Sequence, residues 1–463
     1  MGDLLDAVGR RVGAVTGGQE VVRLGVTGLS RAGKTVFITA LVANLLDRAR
    51  MTGLRAEAEG RIEAVFLQPQ PDDTVPRFDF ETHLAALGGA DAHWPESTRA
   101  ISELRLSIRL APRGLVGMVR GARVLHLDIV DYPGEWLLDL ALMGRSYDDW
   151  SRETLERMRD RDAGRDYLDA VAKVDPAARL EEPVAKALAD LYTRYLAAAR
   201  QEGYSDATPG RFLLPGDLAG SPALTFAPLA AAASAGGRGS LGREFARRYG
   251  AYKAQVVTPF FRDHFARIDR QIVLADLLGA MHGGPRAVEN MRQTLAAILA
   301  AFRPGKSGWL ASILGRRRIG RILFAATKAD HLHHGQHKRL TALMAALVRE
   351  ARARADFAGA ETAAMAIASL RVTSEEVQQI KGRKVDCVRG RLEDGRYAAF
   401  HPGDMPDNPA EMMKAAEAGG AVWPEGDYAQ MRFLPPSEPL RAGAGLPHVR
   451  IDKALEFLLG DRL

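Results

Sequence analysis

Residues 21–37 read VVRLGVTGLSRAGKTVF. Gly28, Gly33, Lys34 and Thr35 in this stretch satisfy the pattern G-x-x-x-x-G-K-[ST]. A β-rich segment precedes the pattern and an apolar helical pattern follows it, which is the strand–loop–helix context that the pattern requires. A chance match in a chain with 46 glycines is the alternative, and the agreement of all three elements disfavours it.

Such a turn binds phosphate groups. Glycines let successive backbone N–H groups point at one anion, and the start of the following helix adds further N–H groups and a positive dipole end. We expect Lys34 to bridge β- and γ-phosphates and the Thr35 hydroxyl to ligate Mg²⁺. The residues predicted to contact the nucleotide in this turn are Gly28, Ser30, Arg31, Ala32, Gly33, Lys34, Thr35 and Val36.

A second informative run is ARVLHLDIVDYPGEW, residues 122–136. Its apolar residues predict a buried strand that ends in the D-x-x-G pattern of Asp131 and Gly134. An aspartate at that strand end can hold Mg²⁺ through water, and the Gly134 N–H can sense a γ-phosphate. Asp128 in the same strand is the alternative Mg²⁺ partner.

The run WPESTRAISELRLSIRL, residues 94–110, alternates imperfectly and predicts a strand. We expect it to pair with 123–130 as a hairpin across the basic loop at 113–121. Thr98, just ahead of that strand, can complete the Mg²⁺ shell and contact the γ-phosphate; a loop threonine or helix cap is the alternative. Arg99 can neutralise charge in the transition state.

A third run, GRILFAATKADHLHH (320–334), predicts a strand that ends in a T-K-x-D pattern. It matches the guanine-recognition pattern N-K-x-D, with Thr327 in place of asparagine. The Asp330 carboxylate would accept two hydrogen bonds from guanine, a pair of donors that adenine lacks, and the Lys328 stem would cover the base. Ser369, in the later buried run at 363–373, would contact the guanine oxygen.

Composition points to an ordinary globular protein. The 463 residues are 47% hydrophobic and 26% charged, and the net charge of +6 argues for no specific nucleic acid. Cys387 is the single cysteine, which suits a reducing compartment. The longest apolar candidate for a membrane span, 221–237, is broken by Pro and Gly, so the prediction is a cytoplasmic protein without a transmembrane segment.

Histidines cluster after the T-K-x-D pattern. His333 and His337 have the i,i+4 spacing that can chelate zinc. No cysteine or further ligand lies nearby in the sequence, so a solvated helix start is the favoured interpretation.

The chain also resembles a known family. The runs WPESTR, VDYPGEW, DRQIVLADLL, ATKADH and PHVRIDKALEFLLGDRL are similar to those of the YcjX-type family of bacterial stress-associated P-loop proteins. The resemblance implies an α/β fold: a Ras-like P-loop NTPase core with a mostly parallel sheet flanked by helices, plus a large helical insertion. It also implies binding of GTP and GDP with Mg²⁺, slow hydrolysis and a link to stress response. In some bacteria it implies a membrane-protein partner, which would place the chain peripherally at the inner membrane.

Two positions depart from the usual Ras-like pattern. Glu135 stands where a glutamine often orients the attacking water, and a carboxylate near a γ-phosphate is repelled. Glu135 therefore favours a switch with slow turnover. Thr327 removes one amide contact and weakens, without abolishing, the guanine assignment.

The spacing of these motifs predicts four segments. They are 1–150 and 269–380 for the two parts of the GTPase core, 151–268 for the helical insertion, and 381–463 for a small β-containing addition with a C-terminal helix. The insertion is either a packing domain or a lid or effector surface that responds to nucleotide.

Three further elements are predicted from local pattern. The run RQIVLADLL, residues 270–278, predicts a strand of the core. The run LGREFARRYGAYKAQVV, residues 241–257, has apolar residues at helical spacing and predicts a helix of the insertion. The C-terminal helix is predicted to turn a stripe of apolar residues toward the core: Ile451, Ala454, Leu455, Leu458 and Leu459.

Three functions remain open from the sequence. The first is a GTPase switch that acts on a protein effector. The second is an ATP-using P-loop enzyme, in which the T-K-x-D pattern is accidental. The third is a nucleotide-binding scaffold with negligible turnover.

Overall fold

The computed structural model describes residues 20–29, 32–89, 91–96, 100–112, 122–202, 204, 208–230, 236–301, 319–357, 359–380, 382–419, 423–424, 426–428, 431–437 and 443–463. Four predicted site residues, Ser30, Arg31, Thr98 and Arg99, lie outside these ranges. The chain divides into two compact units. The sheet unit comprises Met1–Tyr132, Ile268–Pro285 and Arg318–Leu463, and the helical unit comprises Pro133–Arg267 and Arg286–Arg317.

A seven-stranded, mostly parallel sheet forms the centre of the sheet unit, in the order β2-β3-β4-β1-β5-β6-β7. Strands β2, β3 and β4 pair antiparallel, and the pairs from β4 through β1, β5 and β6 to β7 are parallel. This arrangement confirms a mixed α/β fold. The strands are β1 (Glu20–Gly28), β2 (Ile62–Gln68), β3 (Ser102–Leu110), β4 (Arg123–Asp131), β5 (Arg270–Ala275), β6 (Arg321–Ala326) and β7 (Glu361–Ala366).

The hairpin predicted from the alternating run before position 110 is confirmed. Strands β3 and β4 pair antiparallel over their whole length, from Ser102 opposite Asp131 to Leu110 opposite Arg123. The strand predicted over 270–278 is shorter, because β5 ends at Ala275 and the Asp276 side chain caps a helix by accepting a hydrogen bond from the Gly279 amide at 3.0 Å. All six residues of β5 are buried, as expected for a parallel strand that is covered on both faces.

Helices cover the sheet, and a second sheet follows it in the chain. The predicted core stripe of the last helix is confirmed, since Ile451, Ala454, Leu455, Leu458 and Leu459 are all buried. The helices of the sheet unit are α1 (Lys34–Leu46), α2 (Arg55–Ala58), α3 (Phe80–Ala86), α10 (Leu277–His282), α12 (His337–Leu347), α13 (Arg349–Phe357), α14 (Pro409–Glu417) and α15 (Ile451–Leu459). The antiparallel second sheet consists of β8 (Thr373–Ile380), β9 (Arg383–Arg391) and β10 (Tyr397–Phe400).

The helical unit is built around aromatic side chains. Trp150 is fully buried and packs its ring against Tyr192, Phe226 and Tyr249, with ring centroids 5.2 to 5.8 Å apart. Such pairs add about 0.5–1.5 kcal/mol each beyond the buried area. The helices of this unit are α4 (Glu135–Leu138), α5 (Tyr147–Arg159), α6 (Arg165–Val171), α7 (Glu182–Gln201), α8 (Gly210–Leu213) and α9 (Leu241–Tyr252), with α11 (Pro285–Ala301) beginning at the unit boundary.

Several short 3₁₀- and π-helical turns also occur among the described residues. The run LGREFARRYGAYKAQVV, predicted as one helix, forms α9 and then continues as a π-helical turn over Lys253–Val257. None of the helices in the described part of the chain combines the length and apolar character needed to cross a bilayer. The remaining turns are Arg48–Arg50, Asp139–Leu142, Asp162–Gly164, Gly216–Leu218, Pro222–Leu224, Phe260–His264, Phe265–Arg267, Ala329–His331 and His334–Gln336.

Candidate functional site

The glycine-rich turn lies between β1 and α1, at the edge of the sheet where the parallel strands end. Gly28 ends β1 so close to β5 that a Cβ atom there would lie 3.0 Å from the Leu274 Cβ and 3.2 Å from the Ala32 Cβ. Gly33 has φ of +78°, a left-handed conformation that side chains disfavour, and α1 begins at the next residue. The backbone path therefore favours glycine at Gly33, and a side chain at Gly28 would be crowded by Leu274 and Ala32.

Lys34 and Asp131 meet at this edge. The Lys34 ammonium donates a hydrogen bond to Asp131 Oδ1 at 2.6 Å, and the two side chains are 12% and 1% exposed. The other carboxylate oxygen, Asp131 Oδ2, is buried without a hydrogen-bond partner among the described residues. A buried, ionised oxygen without a donor is costly. The pair thus leaves one acceptor that a cation or its bound water can satisfy.

Thr35 follows Lys34 in the first turn of α1. Its side chain is buried, and its hydroxyl donates a long hydrogen bond of 3.5 Å to the backbone oxygen of Glu96. Glu96 is two residues before Thr98, the predicted Mg²⁺ ligand that lies outside the described residues. Val36 is half-buried and Ala32 is buried beside the turn.

Asp128, the alternative Mg²⁺ partner, is bound within the sheet. Arg105 donates to both of its carboxylate oxygens, at 2.6 and 2.8 Å, and Arg23 lies 3.5 Å away. Side chains three positions apart on a strand point to opposite faces, so Asp128 and Asp131 face different sides of β4. Two guanidinium groups already neutralise Asp128, which leaves Asp131 as the better candidate.

Tyr132 fixes the segment after Asp131. Its amide donates to the Val26 oxygen at 3.4 Å, and its hydroxyl donates to Gln271 Oε1 at 2.6 Å inside the sheet unit. Burial raises the pKa of the Tyr132 phenol well above its usual range, so the hydroxyl stays protonated as a donor. The D-x-x-G segment is therefore anchored at its first two residues.

Gly134 and Glu135 belong to the helical unit. Gly134 precedes α4 and has an ordinary helical φ of −63°, and Glu135 is the first residue of that helix. The Glu135 carboxylate is 11% exposed and forms an ion pair with Arg200 of α7 at 2.8 Å. This pairing, which the sequence did not indicate, neutralises the charge on which the predicted repulsion of a γ-phosphate depends.

The T-K-x-D residues follow β6 at the same edge as the glycine-rich turn. Thr327 is buried, and both its amide and its hydroxyl donate to the Ala275 oxygen, at 3.0 and 3.3 Å. Lys328 has φ of +60°, and its ammonium contacts the Asp276 carboxylate at the end of β5. Asp276 is a site residue that sequence reasoning missed, although an aspartate at the end of the buried run RQIVLA was a usable signal.

Asp330 is held by the segment after β7. One carboxylate oxygen accepts a hydrogen bond from the Val372 amide at 2.9 Å, and the Thr373 hydroxyl donates to the Asp330 backbone oxygen. Ser369 is buried in that same connecting segment. Burial lowers the pKa of the neighbouring His331 imidazole, so this ring is neutral at neutral pH.

The register of the sheet relates the two candidate loops. Gly28 of β1 lies opposite Leu274 of β5, and Ala275 of β5 lies opposite Ala326 of β6. Neighbouring strands are about 4.8 Å apart, so the turn after β1 and the turn after β6 begin about 10 Å from each other. Ligands of open α/β sheets bind at such strand ends.

Comparison with known proteins gives consistent matches over nearly the whole chain. The YcjX-like family, DUF463, matches residues 22–463. A protein of Escherichia coli (strain K12) named Ras-like GTPase YcjX is 37% identical over 460 residues, 96% of each chain. A protein of the same name from Shewanella oneidensis (strain MR-1) is 35% identical over 469 residues, 96% of this chain and 94% of that protein.

Proposed function

This chain belongs to the YcjX-like family, and we propose that it is a guanine-nucleotide switch that hydrolyses GTP slowly with Mg²⁺. The names of the two relatives support the GTPase class. The observation that carries the proposal is the 2.6 Å contact between Lys34 and Asp131, at the sheet edge where Asp330 also lies. The proposal is supported by three sequence motifs, the glycine-rich turn, D-x-x-G and T-K-x-D, which follow strands that end at this edge.

Phosphate binding would begin with an exchange of partners at Lys34. The ammonium leaves Asp131 for the β- and γ-phosphates, where the amides of the glycine-rich turn and the start of α1 also donate. The released Asp131 carboxylate then accepts from the coordination shell of a metal. The unpartnered Asp131 Oδ2 and the Thr35 hydroxyl fit Mg²⁺, which prefers oxygen ligands. When bound, Mg²⁺ would neutralise charge on the transferring phosphoryl group.

Thr98 is proposed as a further Mg²⁺ ligand. Support comes from the Thr35 contact with the Glu96 oxygen, which brings the chain two residues before Thr98 next to the first turn of α1. Arg99 remains the candidate for stabilising transition-state charge, and Gly134 the candidate for sensing the γ-phosphate. Glu135 would activate the attacking water poorly, because its carboxylate forms an ion pair with Arg200.

Base selection would rest on Asp330. Its carboxylate would accept from guanine N1 and N2, the Lys328 stem would cover the base, and Thr327 and Ser369 would complete the base-binding site. The contacts of Asp330 support this role, since the Val372 amide holds its carboxylate and the Thr373 hydroxyl holds its backbone oxygen before a ligand arrives. The stress-response role, a protein effector or inner-membrane partner, and the cytoplasmic location remain predictions.

Competition between GDP, ATP and XDP for the purified chain tests base selection. Wild type should bind GDP in strong preference to ATP. Asp330→Asn should weaken GDP binding roughly 100-fold, the equivalent of about two charge-assisted hydrogen bonds, and should improve XDP binding because the amide can donate to the xanthine C2 oxygen. The exposed Asp394→Asn is the matched control. Guanine preference that survives Asp330→Asn would contradict the assignment, and equal affinity for ATP would favour an ATP-using enzyme.

Single-turnover hydrolysis of GTP with Mg²⁺ tests the catalytic half of the proposal. We expect a slow reaction in wild type, no reaction without Mg²⁺, and loss of both binding and turnover in Lys34→Ala. If wild type binds GTP tightly but leaves it intact, the chain is a nucleotide-binding scaffold.

A further inference from the structure

Two adjacent histidines and a glutamate converge on the surface of the sheet unit. His333 and His334 follow the T-K-x-D turn, and Glu375 is the third residue of β8. One ligand atom from each of the three side chains lies within 4.8 Å of the other two. The zinc pair suggested by the i,i+4 spacing is different, because His337 is buried and its Nε2 contacts the Leu332 backbone oxygen at 3.1 Å.

The distances suit a metal ion. Tetrahedral Zn²⁺ with ligand bonds of about 2.0–2.2 Å places its ligand atoms about 3.4 Å apart. Glu375 Oε2 lies 2.7 Å from His334 Nδ1 and 3.7 Å from His333 Nε2. To reach that spacing, the His334 and Glu375 atoms must separate by about 0.7 Å and the His333 and Glu375 atoms must approach by about 0.3 Å. Adjustments of this size are small for side chains that are 69%, 25% and 14% exposed, in the order His334, Glu375, His333. The ligand atoms of the two histidines lie within 4.8 Å of each other.

Charge in the cluster also suits a cation. The Glu375 carboxylate accepts a hydrogen bond from the His334 amide at 3.0 Å, and its Oε2 atom contacts His334 Nδ1 at 2.7 Å. The other ring nitrogen of His333, Nδ1, lies 3.5 Å from Asp386, so the Nε2 atom is the one that faces Glu375. Carboxylates in this position orient histidine ligands of metals. Arg371 lies 3.9 Å from Glu375 and is the nearby competing cation.

We propose that His333, His334 and Glu375 bind one transition-metal ion of the Zn²⁺ class, with water completing the coordination. Imidazole with one carboxylate is a ligand set that such ions prefer over Mg²⁺ or Ca²⁺. The ion would join the turn after Asp330 to the first residues of β8. Val372 and Thr373, which contact Asp330, lie three and two residues before Glu375, so an occupied site would restrain the Asp330 turn from outside.

Titration of the chelator-treated full chain with ZnCl₂ and CoCl₂ tests the site. Saturating Mg²⁺ and GDP are present throughout, so that Thr35 and Asp131 do not contribute a second Zn²⁺ site. We expect one equivalent of bound Zn²⁺ by calorimetry and a visible d–d absorption band with Co²⁺. His334→Ala and Glu375→Gln should each weaken binding at least about tenfold, since loss of even an outer-shell partner costs about 10–100-fold.

His93→Ala is the matched control, because His93 is an exposed histidine of the same unit outside the cluster. Circular dichroism of each variant checks that the fold is intact. Unchanged Zn²⁺ affinity in both ligand variants, or no saturable binding by wild type, would overturn the proposal. Hydrogen exchange provides a second readout: amides of 329–336 should exchange more slowly with Zn²⁺ in wild type and not in Glu375→Gln. Equal exchange with and without Zn²⁺ in wild type would overturn the restraint of the Asp330 turn.

Discussion

Asp139 in the helical unit should make stability fall as the pH rises. Its side chain is 2% exposed, accepts a hydrogen bond from the Gly210 amide at 2.8 Å and another from the Tyr252 hydroxyl at 2.5 Å. Burial raises the pKa of the Asp139 carboxyl from its ordinary 3.8 to about 7, although these hydrogen bonds act in the opposite direction. The prediction concerns Asp139→Asn, which cannot ionise, keeps an acceptor oxygen for the Gly210 amide, and donates to the Tyr252 oxygen instead of accepting from it.

The magnitude follows from linkage. Between pH 3.8 and about 7 the unfolded chain ionises this carboxyl while the folded chain keeps it protonated, so the free energy of unfolding falls with rising pH. The difference of about 3 in pKa corresponds to about 4 kcal/mol at 1.36 kcal/mol per unit. Between about pH 5 and about pH 8 the free energy of unfolding falls by about 3 kcal/mol of this total. Asp139→Asn removes this term, because an amide has no charge to bury.

Urea unfolding followed by circular dichroism and tryptophan fluorescence measures the effect. Relative to wild type, Asp139→Asn should gain about 3 kcal/mol of unfolding free energy between about pH 5 and about pH 8. The control is Asp190→Asn, an exposed aspartate on α7 of the same unit. A difference between Asp139→Asn and wild type that does not change with pH, or that changes in the opposite direction, would refute the reasoning.

Three further substitutions have definite expected outcomes. Gly33→Ala places a side chain at φ of +78° and should cost about 1–2 kcal/mol in thermal unfolding; an unchanged midpoint would contradict the strain. Arg200→Ala leaves the Glu135 carboxylate, which is 11% exposed, without its ion-pair partner and should lower the free energy of unfolding in urea by about 1–3 kcal/mol. Adding Glu135→Gln should restore part of this loss, and effects of the two substitutions that simply add would contradict the ion pair. Tyr132→Phe removes the hydroxyl donor from Gln271 Oε1 and should cost about 1–3 kcal/mol, whereas a neutral result would mean that this buried oxygen has another donor.

Local pattern was sufficient for many elements of the fold. The glycine-rich turn, the β3–β4 hairpin, and the last helix with its core stripe were predictable, because each depends on residues close together in the chain. The end of β5 was misjudged, since a capping hydrogen bond from the Gly279 amide to Asp276 stops the strand earlier than its apolar run suggests. The spacing of apolar residues indicates which positions are buried, but it does not indicate where a side-chain hydrogen bond ends a strand.

Candidate site residues were easier to find than their partners. Lys34, Asp131 and Asp330 are recognisable from short motifs, because the chemistry of each motif is contained in a few consecutive residues. Their contacts are another matter: Lys34 meets Asp131 across 97 positions, and Glu375 reaches His334 across 41. No local pattern encodes such a pairing.

By itself, then, the sequence determined the kinds of chemistry available to this chain and the family to which it belongs. Only the tertiary structure decided that Asp128 is neutralised by two arginines while Asp131 remains available, and that Glu135 pairs with Arg200. The reason is physical. Residue type sets what a side chain can donate or accept, whereas the strand register and the packing of helices set which groups are brought within about 3 Å of one another.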